Sequence, residues 1–381
     1  MEIGSVYEIN PLSIPAIDDN IADRVELYEI SKYDKKNIAY TASGREAIAL
    51  ALYSIEKEYP DICKKCFMPV YMCDTVFIPF VQRGWELIFY HIGKDMKADV
   101  TEIEALLQRE DAGVFFLHPY YGVDTWKELR PLLSQYQKEG LILMEDVTQS
   151  YYLDIDTQAD YIVGSLRKWY AIPDGGFIAS DHEFYTEIVE SDETFSKERL
   201  GMQIKKWNYL KAIDKPIVDK KRKQVLQADK QEYLASNRML EDRLDKFTKI
   251  TDISEVSNGL LKNINEEEYK CRRNENCRIL FEGLKNRKTV FTVLGENIEN
   301  ASPLYFPVYM LQRDALQQYL RERDIYVPVL WPVGKENEDF LNEGEQYIYT
   351  HIAAIPMDQR YGKENMERIV SVINEFEEKC G

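Results

Sequence analysis

The 381-residue sequence has no apolar run approaching the roughly 20 residues that a membrane-spanning helix requires. Its opening, Met1-Glu2-Ile3-Gly4, does not begin a signal peptide, so a cytoplasmic location is expected. Positive charge is also short: 48 Lys and Arg stand against 66 Asp and Glu, a net charge of −18. Nucleic acids and anionic membrane surfaces are bound through net basic patches, so neither is an expected partner, although one phosphorylated small molecule can still be held locally. Histidine is scarce, with four scattered residues. That scarcity bears on Cys63-Lys64-Lys65-Cys66, which has the spacing of half a zinc site. No second such pair and no close histidine pair completes it, so reduced thiols at the start of a strand are expected and no metal is. There is no GxGxxG, internal repeat or low-complexity tract. What is there, 45% hydrophobic and 30% charged residues, is ordinary globular composition with room for one large domain and a smaller one.

The most informative stretch is Leu141–Ser180. An apolar run, Leu141–Met144, breaks at Glu145-Asp146, as a buried parallel strand does when it delivers acidic residues to its carboxyl end. A second run, Tyr161–Val163, leads into Gly164-Ser165-Leu166-Arg167-Lys168. Pro173-Asp174-Gly175-Gly176 then turns the chain into a third, Phe177–Ala179. A carboxylate and a lysine are thus set 22 positions apart, with a glycine turn just beyond the lysine. The pair suits pyridoxal phosphate (PLP) chemistry. A lysine amine condenses with the cofactor aldehyde, best when a desolvated or cationic surrounding such as Arg167 lowers its pKa, and a carboxylate keeps the pyridine nitrogen protonated. Lys168 and Asp146 are the residues expected in those roles.

The sequence EDVTQS, then SLRKW, then PDGG resembles the DegT/DnrJ/StrS family of sugar aminotransferases, whose Gly-Gly turn lies seven and eight residues beyond the lysine, where Gly175 and Gly176 stand. The resemblance covers the first 180 residues well and the last 80 loosely. It implies an α/β, fold type I PLP-dependent transferase: a mostly parallel central sheet with helices on both faces, plus a smaller C-terminal α/β domain. It also implies Gln149 beside the cofactor ring, Ser165 or Arg167 near phosphate or substrate, and a homodimer with the site at the subunit boundary. Lys168 disfavours the dehydratase branch of the family, which carries histidine there.

Alternation of strands and helices through the first 180 residues independently points to a mostly parallel sheet, whose ligands gather at strand carboxyl ends. Strands are expected at Asn37–Tyr40, Phe67–Val70, Glu86–Ile92 and Val114–Leu117. Ser43, His118, Asp146 and Lys168 fall at such ends. Ser43 with Glu46 makes a capping box, and a helix opening Ser43-Gly44-Arg45 reads either as a phosphate site or as a capped amphipathic helix with a surface arginine. Beside the resemblance, where a TASG turn holds the cofactor phosphate, the three become cofactor contacts. Family members place an aromatic residue over the ring near the next helix start, expected at Tyr71–Thr75; here the candidates are Tyr71 and Cys73. His118 reads as a substrate contact or a satisfied structural histidine.

An N-terminal arm, 1–37, carries Pro11 and Pro15, which prevent a long helix. The large domain is expected to span 1–250 and the small one 251–381, divided where Ser254, Ser257, Asn258 and Gly259 interrupt the pattern between Thr248 and Asn265. The charged region 182–249, with its basic run Lys220–Lys223 and a helix at Gln231–Arg243, reads as a solvated face. Gly201–Asn208 does not reproduce the Asn-x-Arg turn with which relatives reach a partner's phosphate site. The small domain reads as helices at Glu266–Leu284, Arg313–Arg323 and Glu364–Glu378 with strands at Pro303–Tyr309 and Tyr326–Leu330. Trp331 and Arg360 are substrate-facing or, respectively, core and surface-paired.

The expected activity is PLP-dependent transamination from an amino acid, commonly glutamate, to a keto sugar carried on a nucleotide. The alternative is a binding or regulatory module on the same fold with weak or no turnover. Cysteine desulfurase chemistry would need a reactive cysteine soon after the lysine, and none lies between Cys73 and Cys271.

Overall fold

A computed structural model describes residues 2–14, 30, 32–154, 157–185, 188–214, 220–246, 249–294 and 301–380. Pro15 and Thr248 lie outside the described residues, as do the side chains of Lys220, Lys221 and Lys223 in the basic run. The elements run β1 (Asn37–Thr41), α1 (Gly44–Glu58), β2 (Lys65–Pro69), α2 (Asp74–Gln82), β3 (Glu86–Tyr90), α3 (Val100–Arg109), β4 (Val114–Leu117), α4 (Arg130–Lys138), β5 (Ile142–Asp146), β6 (Tyr161–Gly164) and β7 (Gly176–Ser180). They continue with α5 (Glu193–Ile213), α6 (Lys220–Leu244), α7 (Glu255–Leu261), α8 (Glu266–Leu284), β8 (Val290–Thr292), β9 (Phe306–Met310), α9 (Arg313–Arg321), α10 (Glu343–His351), β10 (Ile352–Ile355) and α11 (Lys363–Cys380).

Seven strands form one sheet in the order β1-β7-β6-β5-β4-β2-β3, and three form a second in the order β10-β9-β8. The first is mixed and mostly parallel, as expected: β3, β2, β4 and β5 pair in parallel, whereas β1 is antiparallel to β7. The inner strands β4, β5, β6 and β7 are buried at every position, which explains their continuous apolar runs, while β3 at the sheet's edge is buried only at Tyr90. The chain divides into two compact units, residues 1–54 with 163–264 and residues 55–162 with 265–381. The expected boundary at 250–251 falls within the second segment of the first unit.

In the first unit the described helices of the charged region, α5 and α6, do more than present a solvated face. Phe195, Met202 and Tyr209 on α5, and Leu226, Tyr233 and Leu240 on α6, form one buried cluster with Leu244. Each trio repeats every seven residues, the spacing that keeps one helical stripe facing a partner helix. Asp192 caps α5 by accepting from the Phe195 N–H at 3.0 Å. The N-terminal segment is tied to this pair: buried Lys206 donates to the Val6 carbonyl and lies 3.1 Å from Glu8, and the buried Glu2 carboxylate accepts from Lys230 at 2.6 Å. Ser254–Gly259, read from sequence as an interruption, instead forms most of α7 with its cap. Ser254 Oγ accepts from the Ser257 N–H at 3.3 Å, so the serine that looked like a breaker starts a helix.

In the second unit α8 packs against α11 closely enough that a Cβ on Gly283 would lie 2.5 Å from Val370 Cγ2. Fully buried Arg273 on α8 donates to the Pro303 and Leu304 carbonyls, and Asn276 to those of Met357, Asp358 and Tyr361, pinning two loops. Tyr326–Leu330 is not a strand. Pro328 has no N–H to give a ladder, and the run contributes one backbone bond, Ala354 N–H to the Pro328 carbonyl.

Candidate active site

The first unit brings three segments around Lys168 together through the backbone. In the antiparallel pair, Thr41 on β1 stands opposite Gly176 on β7. The Gly175 N–H donates to the Ala42 carbonyl at 2.8 Å, and the Gly175 carbonyl accepts from the Leu166 and Arg167 N–H groups at 3.0 and 3.3 Å. The two glycines are there for different reasons. Gly175 has φ +139°, and a Cβ on Gly176 would lie 2.3 Å from the Ser43 carbonyl carbon and 2.6 Å from the Gly44 nitrogen. The start of α1 thus rests directly on the glycine turn.

Gly44 opens α1 against Ser165, whose Cβ would be 3.3 Å from a Cβ at position 44. Ser43 Oγ accepts from the Glu46 N–H at 3.3 Å, as a cap does. The reciprocal half of the expected box is altered: Glu46 accepts from Ser43 Oγ at 2.9 Å and turns its other oxygen to the N–H and hydroxyl of Thr251. Burial raises the Glu46 carboxyl, with the hydroxyls of Thr251 and Ser43 opposing. Arg45 is buried and paired with Asp245, so its guanidinium is engaged within the unit.

Lys168 closes the short 3-10 turn Leu166–Lys168 after β6 and is exposed, while Leu166, Trp169 and Tyr170 around it are wholly buried. Three buried apolar anchors therefore fix the turn that presents the amine. Arg167 turns away from solvent into a bidentate pair with Glu241, both bonds 2.9 Å, and Arg199 donates to the same carboxylate. Burial alone would raise the Glu241 carboxyl; the charges of Arg167, Arg199 and Lys168 outweigh it and hold it well below the usual range. Asp174, just before the glycines, is buried and accepts from the N–H and hydroxyl of Ser254 and the hydroxyl of Ser257. Burial raises its carboxyl to about 6, against the lowering effect of those hydroxyls.

The second unit holds the other candidates. Parallel pairing sets Leu117 of β4 opposite Glu145 of β5, so the residues that follow, His118 and Asp146, emerge side by side at the carboxyl ends. His118 Nδ1 lies 3.4 Å from Asp146 Oδ2, and both residues are buried. Asp146 Oδ1 accepts from the Thr148 N–H at 2.8 Å. Gln149 Oε1 accepts from the N–H of Tyr121, a residue held at φ 53°. Tyr71 is fully buried. Its hydroxyl lies 2.9 Å from that of Tyr121 and donates to the Leu330 carbonyl at 2.6 Å, and its ring centroid lies 5.6 Å from Tyr120 and 5.1 Å from both Trp331 and Tyr349. Burial raises its phenol well above the ordinary range. Cys73, the N-cap of α2, is partly exposed with Sγ 3.1 Å from Thr75 Oγ1. The helix itself begins at Asp74, so Tyr71 precedes it. Arg360 is paired with Asp358 at 2.7 and 2.9 Å.

Ser43, Gly44, Ser165 and the Lys168 turn are thus gathered in one unit, and Asp146, Gln149 and Tyr71, linked through Tyr121 and His118, in the other. The sequence reading missed Glu241 and Arg199. Glu241 lies 74 positions from Arg167, with no local pattern to mark the pairing.

No family model and no curated protein matches this sequence. Solved structures do. DesV of S. venezuelae, in complex with a ketimine intermediate, is 14% identical, with 92% of this chain and 87% of that chain covered and a TM-score of 0.63. Helicobacter pylori PseC, an aminotransferase involved in the biosynthesis of pseudoaminic acid, is 14% identical over 91% of this chain and 88% of that one, at a TM-score of 0.62. NtdA from Bacillus subtilis with bound cofactor PMP is 15% identical over 90% of this chain and 74% of that one, at 0.63. The chain shares the fold of these proteins, the expected fold type I α/β architecture.

Proposed function

We propose that the protein is a PLP-dependent aminotransferase that moves an amino group from an amino acid, in the first instance glutamate, to a keto sugar carried on a nucleotide, acting as a cytoplasmic homodimer. The observation that carries this reading is the turn bearing Lys168: an exposed amine on a buried, glycine-locked support, in a fold shared with sugar aminotransferases. The donor set fits PLP. Lys168 is an exposed lysine, Asp146 is a buried carboxylate with an imidazole beside it, and Ser43-Gly44 stands at a helix N-terminus, an end that suits a phosphate.

When bound, PLP supplies an electron sink for the charge that develops at the amino-bearing carbon. The chain supplies everything else. The Lys168 amine would hold the cofactor through its aldehyde carbon and, once displaced, take a proton from the substrate carbon and return it. Asp146, kept in place by the Thr148 N–H, would hold a proton on the pyridine nitrogen. Gln149 would lie beside the ring, and Ser43, Gly44 and Ser165 would hold the phosphate. Tyr71 or Cys73 would cover the ring. Tyr71 brings an aromatic face already flanked by Trp331, and Cys73 brings partial exposure.

The test is a half-reaction. Protein loaded with PLP and mixed with L-glutamate should lose its visible band within minutes as the cofactor takes the amino group, and a keto sugar nucleotide should restore it. The pairing of Arg45 with Asp245 favours the second reading, a binding or regulatory protein on this fold, because it sets a carboxylate in competition with phosphate at one expected contact. Loaded protein unchanged by every common amino donor would support that second reading.

A further inference from the structure

Behind the Lys168 turn, in the first unit, the two arginines that share Glu241 are under-used. Arg199 on α5 is 5% exposed, yet only its Nη2 has a partner; Nε and Nη1 are buried without one. Arg167 spends both terminal nitrogens on Glu241 and leaves Nε buried and unpartnered. A buried N–H donor with no acceptor is costly, and a guanidinium with two of them is rarer still. Charge points the same way. Arg167, Arg199 and Lys168 all act on one carboxylate, Glu241. The other acid that acts on Arg199, Asp174, has its oxygens occupied by Ser254 and Ser257. Three idle donors beside surplus positive charge call for a small anion with several oxygens and more than one negative charge.

We propose that Arg199 and Arg167, braced by Glu241, form a binding site for a phosphate dianion. Guanidinium N–H groups make strong, charge-assisted bonds to phosphate oxygens, and Arg199 has two donors, Nε and Nη1, left to spend on them. Glu241 plays a double role: it orients both arginines and competes for their charge. The phosphate could be inorganic, the cofactor's ester or the diphosphate of a nucleotide. Only the choice among these rests on the proposed function; the site itself does not.

The experiment is calorimetric titration of the full chain with inorganic phosphate, followed by competition. Wild type should bind phosphate, and Arg199→Met and Arg167→Met should each weaken binding roughly ten- to hundredfold, the value of charge-assisted hydrogen bonds. Should Arg199→Met not fold, Arg199→Lys keeps the charge but loses the separate Nε and Nη1 donors and should still weaken binding. Glu241→Gln should bind phosphate more tightly than wild type and be stabilised more by it on heating, which a purely structural carboxylate would not produce. Competition by PLP but not by pyridoxal assigns the phosphate to the cofactor, and competition by uridine diphosphate assigns it to a nucleotide; either supports the site. Wild type that binds no phosphate, or an Arg199 variant that binds it as well as wild type, overturns it. A protein that binds phosphate through Arg199 but never takes up PLP leaves the site standing and removes the aminotransferase reading.

Discussion

His118 Nδ1 lies 3.4 Å from Asp146 Oδ2, both side chains are buried, and neither ring nitrogen of His118 has a hydrogen-bond partner. Its ring instead meets those of Tyr120 and Trp331 edge-on at centroid distances of 5.0 and 5.7 Å. A small closing movement would let Nδ1–H donate to Asp146 and fix the carboxylate that the proposed reaction needs. His118→Phe keeps the aromatic packing and removes the nitrogens. It should lower PLP affinity by about tenfold, about 1.4 kcal/mol, while Asp146→Asn should lower it further. The double variant should show less than the sum, a coupling of about 1 kcal/mol. Absorbance titration of the four proteins with PLP checks this. Additive losses would mean the two side chains do not act together.

The glycine turn makes a prediction about stability. A Cβ at position 176 meets backbone that cannot swing away, so Gly176→Ala should destabilise by about 2 kcal/mol or more. Gly201 on α5 is the control. A Cβ there meets nothing within 4 Å, and Gly201→Ala should be neutral or stabilising by up to about 1 kcal/mol. Denaturant unfolding of the two variants separates a local clash from a general intolerance of alanine.

Asp174 predicts a pH dependence. Its carboxyl rises from an ordinary 3.8 to about 6 in the folded chain, so between those values the folded state binds more protons than the unfolded one. The stabilisation is fully present below pH 3.8 and lost as pH rises through about 6. Above that, keeping Asp174 ionised costs about 3 kcal/mol. Asp174→Asn removes the titrating group. The stability difference between wild type and this variant, followed from pH 4 to 8 by chemical unfolding, should shift in the variant's favour as pH rises and then level off near pH 7.

Glu241 predicts the opposite slope. Its carboxyl is held low, so its contribution is present above the ordinary 4.5 and lost as pH falls. In the absence of phosphate, Glu241→Gln leaves two buried arginines without a counter-charge and should destabilise by about 3 kcal/mol at neutral pH. The deficit should shrink below about pH 4.5, because the unfolded wild-type chain takes up a proton on Glu241 there while the folded one keeps its carboxylate ionised. Thermal unfolding at pH 7.5 and pH 3.5 reads both.

The sheet and the lysine turn were legible because their signals are local. The runs Val114–Leu117 and Ile142–Asp146 are buried at every position, and glycines at 175 and 176 are demanded by neighbours within a few residues or one strand pairing away. Helix α8 was legible to its ends because Asn265 caps it and three glutamates open it. What escaped were features set by partners distant in sequence. The stripe Phe195, Met202, Tyr209 is a helix face only when Leu226, Tyr233 and Leu240 are there to cover it. Ser254 reads as a breaker until Asp174, 80 positions earlier, accepts its hydroxyl. Arg167 looked like a cation that would tune Lys168, but its charge is largely met by Glu241, which no spacing rule could foretell.

The account turns on Lys168 being the amine that takes PLP, and chemical trapping tests that most directly. The protein is incubated with PLP, reduced with borohydride and digested, and its peptides are weighed. The account predicts one pyridoxyl mass gain, on the peptide carrying Lys168, and none in Lys168→Ala. A label on another lysine, a scatter of partial labels unchanged by Lys168→Ala, or no label at all would contradict it.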